Sequence, residues 1–277
     1  MITMYKEYFR LCEEPFKITP DPRFLYLTDQ HREALNHLLY GIRERKGFIC
    51  LTGEVGAGKT TLCRALLNHL GGRYHTALIL NPMLTGTQLL RAIVQEFGIQ
   101  TKRLDRLGYL NVLNQFLLEI NGAGGDAVVI IDEAQDMPLE TLELTRLLGN
   151  LETNTQKLLQ IVLVGQPELR KRLTKPRLRQ LAQRITVRFH LGQMTQDETA
   201  HYIAHRLQVA GRVEPECTPA IEFDRGAIKE IYRFSRGTPR LVNAIGDKAL
   251  LAGYVHRTGQ IDRRLVALAA DELKECR

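Results

Sequence analysis

The sequence has no tryptophan and only 6% aromatic residues, which leaves little for stacking nucleic-acid bases. Long apolar runs are also missing. The longest, "AVVII" at 127–131 and "IVLVG" at 161–165, fall far short of the ~18 residues that a membrane-spanning helix requires. The opening stretch "MITMYKEYFRLCEEPF" mixes Lys and Glu into the place where an export signal needs a continuous apolar segment. Cysteine is scarce: the five, at 12, 50, 63, 217 and 276, are odd in number, widely separated and without metal-ligand spacing. That usage suits reduced thiols and assigns them no chemistry. No internal repeat, low-complexity tract, helix-turn-helix or zinc-finger pattern stands out. These absences together lead us to expect a cytoplasmic protein.

What the chain does contain is ordinary in amount. Its 277 residues exceed one typical domain and predict a core domain with a smaller partner. Hydrophobic residues at 44% and charged residues at 25% match a soluble globular protein. The 38 Lys and Arg against 31 Asp and Glu leave a formal +7, which favours polyanions over the whole surface but equally fits a basic protein with no such partner.

Residues 1–30, with "EPFKITPDPRFLYLT", are too apolar for a loose tail and too rich in proline for a helix, and predict an extended strap. Leu35, Leu38, Leu39 and Ile42 then repeat at helical spacing ahead of the strand-like "GFICLTG". Short apolar strands and helical segments alternate from there to residue 191. This pattern predicts a five-stranded parallel sheet covered on both faces. After 192 the strand signals stop: "TQDE" at 195–198 is a capping box that opens a helix, Asp224 is a second cap, and helices are expected over 238–254 and 261–273. The expected organisation is a strap over 1–30, an α/β core over 31–191 and a small all-α lid over 192–277.

The chemistry concentrates in two stretches. "LTGEVGAGKTTL" at 51–62 fits G-x-x-x-x-G-K-[ST] through Gly53, Gly58, Lys59 and Thr60, between a strand and a helix. A loop built from Gly53, Glu54, Val55, Gly56, Ala57, Gly58, Lys59, Thr60 and Thr61 turns backbone N–H groups onto phosphate oxygens at a helix N-terminus. Lys59 would neutralise the outer phosphates, and Thr60 would offer its hydroxyl to Mg²⁺. "VVIIDEAQ" at 128–135 is an apolar strand ending in two acids: Asp132 can hold the metal through water and Glu133 can polarise an attacking water. The bland alternatives are a glycine-rich turn and a strand end meeting solvent. Together the two stretches predict hydrolysis of a bound nucleotide with Mg²⁺.

Three further polar features stand where such an enzyme needs sensors. Gln166, at the tip of strand "IVLVGQ", can orient the same water, or be a turn residue before Pro167. "RKRLTKPRLRQLAQR" at 170–184 carries seven bases and no acid. Arg179 or Arg184 could enter a neighbouring subunit's site as an arginine finger; a polyanion patch and an ordinary solvated face are the competing readings. Arg240, early in the helix of "SRGTPRLVNAIGDKALL", can reach the terminal phosphate or simply face solvent.

With these motifs assembled, the chain resembles the AAA+ ATPases and, more narrowly, the ExeA/GspA family of secretion-associated ATPases. Its stand-alone members include MSHA pilus and exosortase-associated proteins. The narrower signals are "PFKITPDPRFLYLT" near the start and "GQPEL" with "LRQLAQRI" further on. The resemblance implies a P-loop core with a helical lid, and ATP-driven assembly work in the cell envelope. It also implies Lys59, Thr60, Asp132, Glu133, Gln166 and Arg240 in the family's positions. Partners so implied are further copies of the chain and an inner-membrane or secretion/pilus assembly protein. Family members dedicated to type II secretion continue into a membrane span and a peptidoglycan-binding domain. This chain ends at Arg277 with neither, which leads us to expect a stand-alone member that reaches the membrane through a partner. Transposition regulators such as TnsC, TniB and MuB are related ATPases that bind DNA, and the basic stretch at 170–184 keeps DNA open as a partner.

Overall fold

The structure, a computed structural model, describes residues 4–17, 21–211 and 221–275. In chain order its elements are α1 (Met4–Tyr8), α2 (Asp29–Arg43), β1 (Phe48–Gly53), α3 (Lys59–Leu70), β2 (Tyr74–Ile79), α4 (Gly86–Glu96), α5 (Arg106–Gly122), β3 (Asp126–Ile131), α6 (Leu139–Leu148), β4 (Leu159–Gly165), α7 (Pro167–Leu173), α8 (Arg179–Arg184), β5 (Ile185–Leu191), α9 (Gln196–Ala210), β6 (Glu222–Phe223), α10 (Arg225–Ser235), α11 (Pro239–Val255), β7 (Gln260–Ile261) and α12 (Arg263–Glu275). The chain divides into two compact units. One comprises 29–55 with 62–191; the other comprises 1–28, 56–61 and 192–277.

The larger unit is the α/β core. Its five strands are all parallel, in the order β2-β3-β4-β1-β5. The central strands β1, β3 and β4 are buried at every position, because helices cover both faces of the sheet and leave no wet side for polar residues. The edge strands differ: β5 largely alternates buried with exposed positions, while β2 mixes half-buried positions with buried and exposed ones. One face of the sheet, with Phe48, Val129, Ile131, Ile161 and Leu163, packs against Leu90, Ile93, Leu113 and Leu117 of α4 and α5. At about 25 cal/mol per Å² of apolar surface removed from water, such burial is the main stabilising term. Sequence spacing missed α7, whose start is set by Pro167 at its first position; proline's missing N–H costs nothing there. Ahead of β5 a 3-10 turn at Pro176–Leu178 leads into α8.

The second unit is built on α9, α10, α11 and α12. Thr195 and Glu198 form both halves of the expected capping box at α9, and Asp224 caps α10 by accepting the Ala227 N–H at 2.6 Å. An all-α expectation needs one correction: β6 and β7 pair as a two-residue parallel ribbon, too short for any period-2 signal. The extended strap needs another. Met4–Tyr8 wind into α1, and Pro22 opens a 3-10 turn at Pro22–Phe24, since proline's fixed φ is tolerated in a first helical turn. Phe9, Phe16 and Phe24 from the N-terminal segment join Tyr202, Ile203, Val242 and Ile245 in this unit's core. Arg206, 6% exposed, ties that segment down. Its guanidinium donates to the carbonyls of Pro15 and Lys17 and lies 4.5 Å from the Phe24 ring centroid. Residues 18–20 of the segment lie outside the described residues.

Candidate active site

In a parallel sheet all strands end on the same edge, and loops at that edge carry the chemistry. Here β1 pairs with β4 so that Thr52 faces Gly165, and β3 pairs with β4 so that Ile131 faces Leu163. The chain therefore leaves β1 into Glu54 and Val55, β3 into Asp132 and Glu133, and β4 into Gln166 along one border of the sheet.

The loop after β1 turns through Gly56 at φ +77° and Gly58 at φ +94°, a backbone region that side chains with a Cβ disfavour. α3 starts at Lys59, so its first N–H groups have no partner within the helix and point back toward the loop. Glu54 and Val55 are exposed, Gly56, Gly58, Thr60 and Thr61 half-buried, and Gly53, Ala57 and Lys59 buried. Lys59 is only 5% exposed, an expensive place for an ammonium unless it serves an anion or a partner. Arg240, at the second residue of α11, seats directly on this loop: a Cβ on Gly56 would lie 2.7 Å from Arg240 Cβ and 3.3 Å from Thr238 Cγ2. Within this loop the parts suit a phosphate chain: glycine turns, a helix N-terminus and a buried lysine are what an anion cradle needs, and the Thr60 hydroxyl is a hard oxygen donor of the kind Mg²⁺ takes.

The acidic half of the site is held by a hydrogen-bond network. Asp132 is 3% exposed and its Oδ1 accepts the Glu133 N–H at 2.9 Å. Glu133 sits in the left-handed region at φ 50°, ψ 38°, a conformation that costs a non-glycine residue about 1–3 kcal/mol and persists only where surroundings enforce it. Gln166 reaches it, Nε2 donating to Glu133 Oε2 at 3.3 Å. Two participants escaped the sequence reading. Gln135 donates from Nε2 to Glu133 Oε2 at 2.7 Å, and Arg172 donates to the carbonyls of Gln135 and Met137. Gln135 ends the quoted acidic motif, so its signal was present; Arg172 was hidden among seven bases that read as one exposed stripe.

The finger candidates differ. Arg184 donates from Nη1 to the Arg146 carbonyl at 2.8 Å in its own chain, whereas Arg179 is exposed. Arg170, Lys171, Lys175 and Arg177 are exposed as well, and none of these five forms an ion pair among the described residues. Burial pushes the Cys50 thiol up to about 11, which keeps it protonated and unreactive near neutrality. Cys217 and Cys276 lie outside the described residues. No helix among the described residues is long and apolar enough to cross a membrane.

Comparison with known proteins agrees with this fold. A family model described as an AAA domain matches residues 42–173. Over 275 residues, 99% of the chain, the sequence is 46% identical to General secretion pathway protein A of Aeromonas hydrophila and covers 49% of it. The chain thus spans about half the length of that relative. Among solved structures, the ORC2 protein of Aeropyrum pernix in its ADPNP-ADP complexes matches with a TM-score of 0.65 at 17% identity, covering 94% of this chain and 71% of that one. Drosophila ORC bound to DNA gives 0.67 at 15%, covering 98% and 65%. The RuvB Holliday junction branch migration motor of Thermotoga maritima gives 0.56 at 19%, covering 89% and 69%. At these identities the likeness is one of fold.

Proposed function

We propose that the chain is an AAA ATPase akin to general secretion pathway protein A, and that it hydrolyses ATP with Mg²⁺ to drive its own oligomerisation and the assembly of an envelope machine. The observation that carries the reading is the shared sheet border. It gathers the start of the phosphate loop, the Asp132-Glu133 pair and Gln166, while Arg240 rests on Gly56. In this reading the loop N–H groups and Lys59 bind the phosphates, and Thr60 and Asp132 hold the metal. Bound Mg²⁺ supplies charge neutralisation on the β and γ phosphates. Glu133 accepts a hydrogen bond from the water that attacks the terminal phosphoryl group and takes its proton; Gln166 helps aim that carboxylate. Arg240 reports phosphate occupancy to the helical unit. Arg179, exposed on α8, is the finger given to a neighbouring copy, so turnover requires assembly. The partner is an inner-membrane or secretion/pilus protein that holds the ATPase at the membrane.

A second reading, an ATPase that works on DNA, is favoured by the exposed bases at 170, 171, 175, 177 and 179, which form no ion pair among the described residues. One experiment separates the two: ATPase rate against protein concentration, with and without duplex DNA, at low and moderate salt. A specific activity that rises with concentration and ignores DNA is expected. Strong stimulation by DNA that falls steeply with salt, as counterion release demands, would overturn the envelope reading. Turnover by Glu133→Gln equal to that of the unmodified chain would refute the hydrolytic assignment itself.

A further inference from the structure

We propose that Gln135 is a positioning residue for Glu133, and that Arg172 on α7 holds it in place, so that the aim of the water-activating carboxylate is set by the helix that follows β4. The proposal rests on the reading of Glu133 as that carboxylate.

Gln135 is 8% exposed, and its amide is fully used. Oε1 accepts the backbone N–H of Gln166 at 3.0 Å, while Nε2 donates to Glu133 Oε2 at 2.7 Å and to Asp136 Oδ2 at 3.0 Å. This pattern settles the amide's orientation, because a backbone N–H can only donate and two carboxylates can only accept. A flipped amide would present oxygen to both acids. Space is equally restrictive. A Cβ on Gly165 would lie 2.8 Å from Gln135 Oε1 and 3.0 Å from Leu169 Cδ2, so glycine at the end of β4 leaves the pocket that the amide fills.

The turn that carries Gln135 is itself clamped. Residues Ala134–Asp136 form a single 3-10 turn, too short to hold its own geometry. Arg172 bridges its exit, one guanidinium nitrogen donating to the Gln135 carbonyl and another to the Met137 carbonyl at 2.6 Å. Such a charged, two-point contact fixes orientation as well as distance. Glu133, strained in the left-handed region, is thus steadied through Oε2 by Gln135 and Gln166. Both glutamines answer to β4 and α7. Arg170 and Lys171 on the same helix are exposed, which makes α7 the route by which an outside contact would reach the carboxylate.

The test is steady-state ATPase with full-length Gln135→Leu, Gln135→Glu, Arg172→Met, Arg172→Lys and Gly165→Ala, beside Glu133→Gln. Each variant is paired with binding of a non-hydrolysable ATP analogue and a melting curve. Gln135→Leu should lower kcat by about 10- to 100-fold, the scale of an ångström-sized misplacement, with KM and analogue affinity within about twofold. Gln135→Glu, equal in volume but set against two carboxylates, should do worse. A filler of space would tolerate it. Arg172→Lys should recover part of what Arg172→Met loses. Gly165→Ala, which displaces the amide from outside the network, decides the matter should Gln135→Leu not fold. If kcat stays within about twofold in Gln135→Leu and Arg172→Met while Glu133→Gln is inactive, the proposal fails and the reading of Glu133 stands. A kcat loss matched by an equal loss of analogue binding also overturns it, as that marks a structural role. An active Glu133→Gln overturns both.

Discussion

Replacing Gly56 by alanine perturbs the phosphate loop at the point where Arg240 rests on it. Two costs add. Gly56 has φ +77°, and an L-residue held in the left-handed region costs about 1–2 kcal/mol. The new methyl would also stand 2.7 Å from Arg240 Cβ and 3.3 Å from Thr238 Cγ2, against an optimum of about 3.5–4.0 Å between carbons. Because Arg240 Cβ is fixed to the α11 backbone, the loop or the helix start must move, and overpacking of this kind costs about 1–3 kcal/mol. The expected destabilisation is about 2–5 kcal/mol in the unit that holds both residues, with weaker nucleotide binding as the loop shifts. Urea unfolding and titration with a fluorescent ATP analogue measure the two effects. A double-mutant cycle with Arg240→Gly isolates the steric part, since it removes the opposing Cβ; a coupling of about 1–3 kcal/mol is expected. If Gly56→Ala unfolds like the unmodified chain, or if the cycle shows no coupling, the contact between loop and α11 does not carry the strain argued here.

Two other predictions concern the N-terminal segment. Arg206→Met keeps the aliphatic stem but removes hydrogen bonds to the Pro15 and Lys17 carbonyls and the cation over Phe24. With charged hydrogen bonds at about 1.5–3 kcal/mol each, offset by relief of a desolvated guanidinium, a net loss of about 2–4 kcal/mol and early proteolysis within residues 1–28 are expected; unchanged protease resistance would count against the tether. Alkaline pH should act on the same segment. Burial, and then the bond to the Asp247 carboxylate, raise the Tyr5 phenol above its ordinary value. Stability from the protonated phenol is therefore complete below the unfolded value near pH 10 and lost as pH climbs through the folded one. Tyr5→Phe should flatten that alkaline decline in melting temperature, and an identical decline in both proteins would reject the assignment.

Local sequence carried much of this architecture. Continuous apolar runs such as "VVII", short and β-branched, fit strands buried on both faces, and their alternation with helical segments made the parallel sheet legible. The strand, glycine turns and helix start around residues 51–62 were equally legible, because glycine spacing and helix onset are local and their physics acts within a dozen residues. Thr195 and Asp224 announced their helices for the same reason. What pattern could not reach was any contact between residues distant in the chain. Gln135 reads as a turn residue until β4 and α7 bring Gln166 and Arg172 against it. Arg184 and Arg179 look alike in a basic run, and only the carbonyl of Arg146 separates them. The N-terminal segment shows prolines and aromatics, but its place in the core with Tyr202 and Val242 depends on helices some two hundred residues later. Hydrophobic period and backbone propensity are properties of a short stretch of chain. Hydrogen-bond partners and close approaches are properties of the fold, and tertiary structure alone decides them.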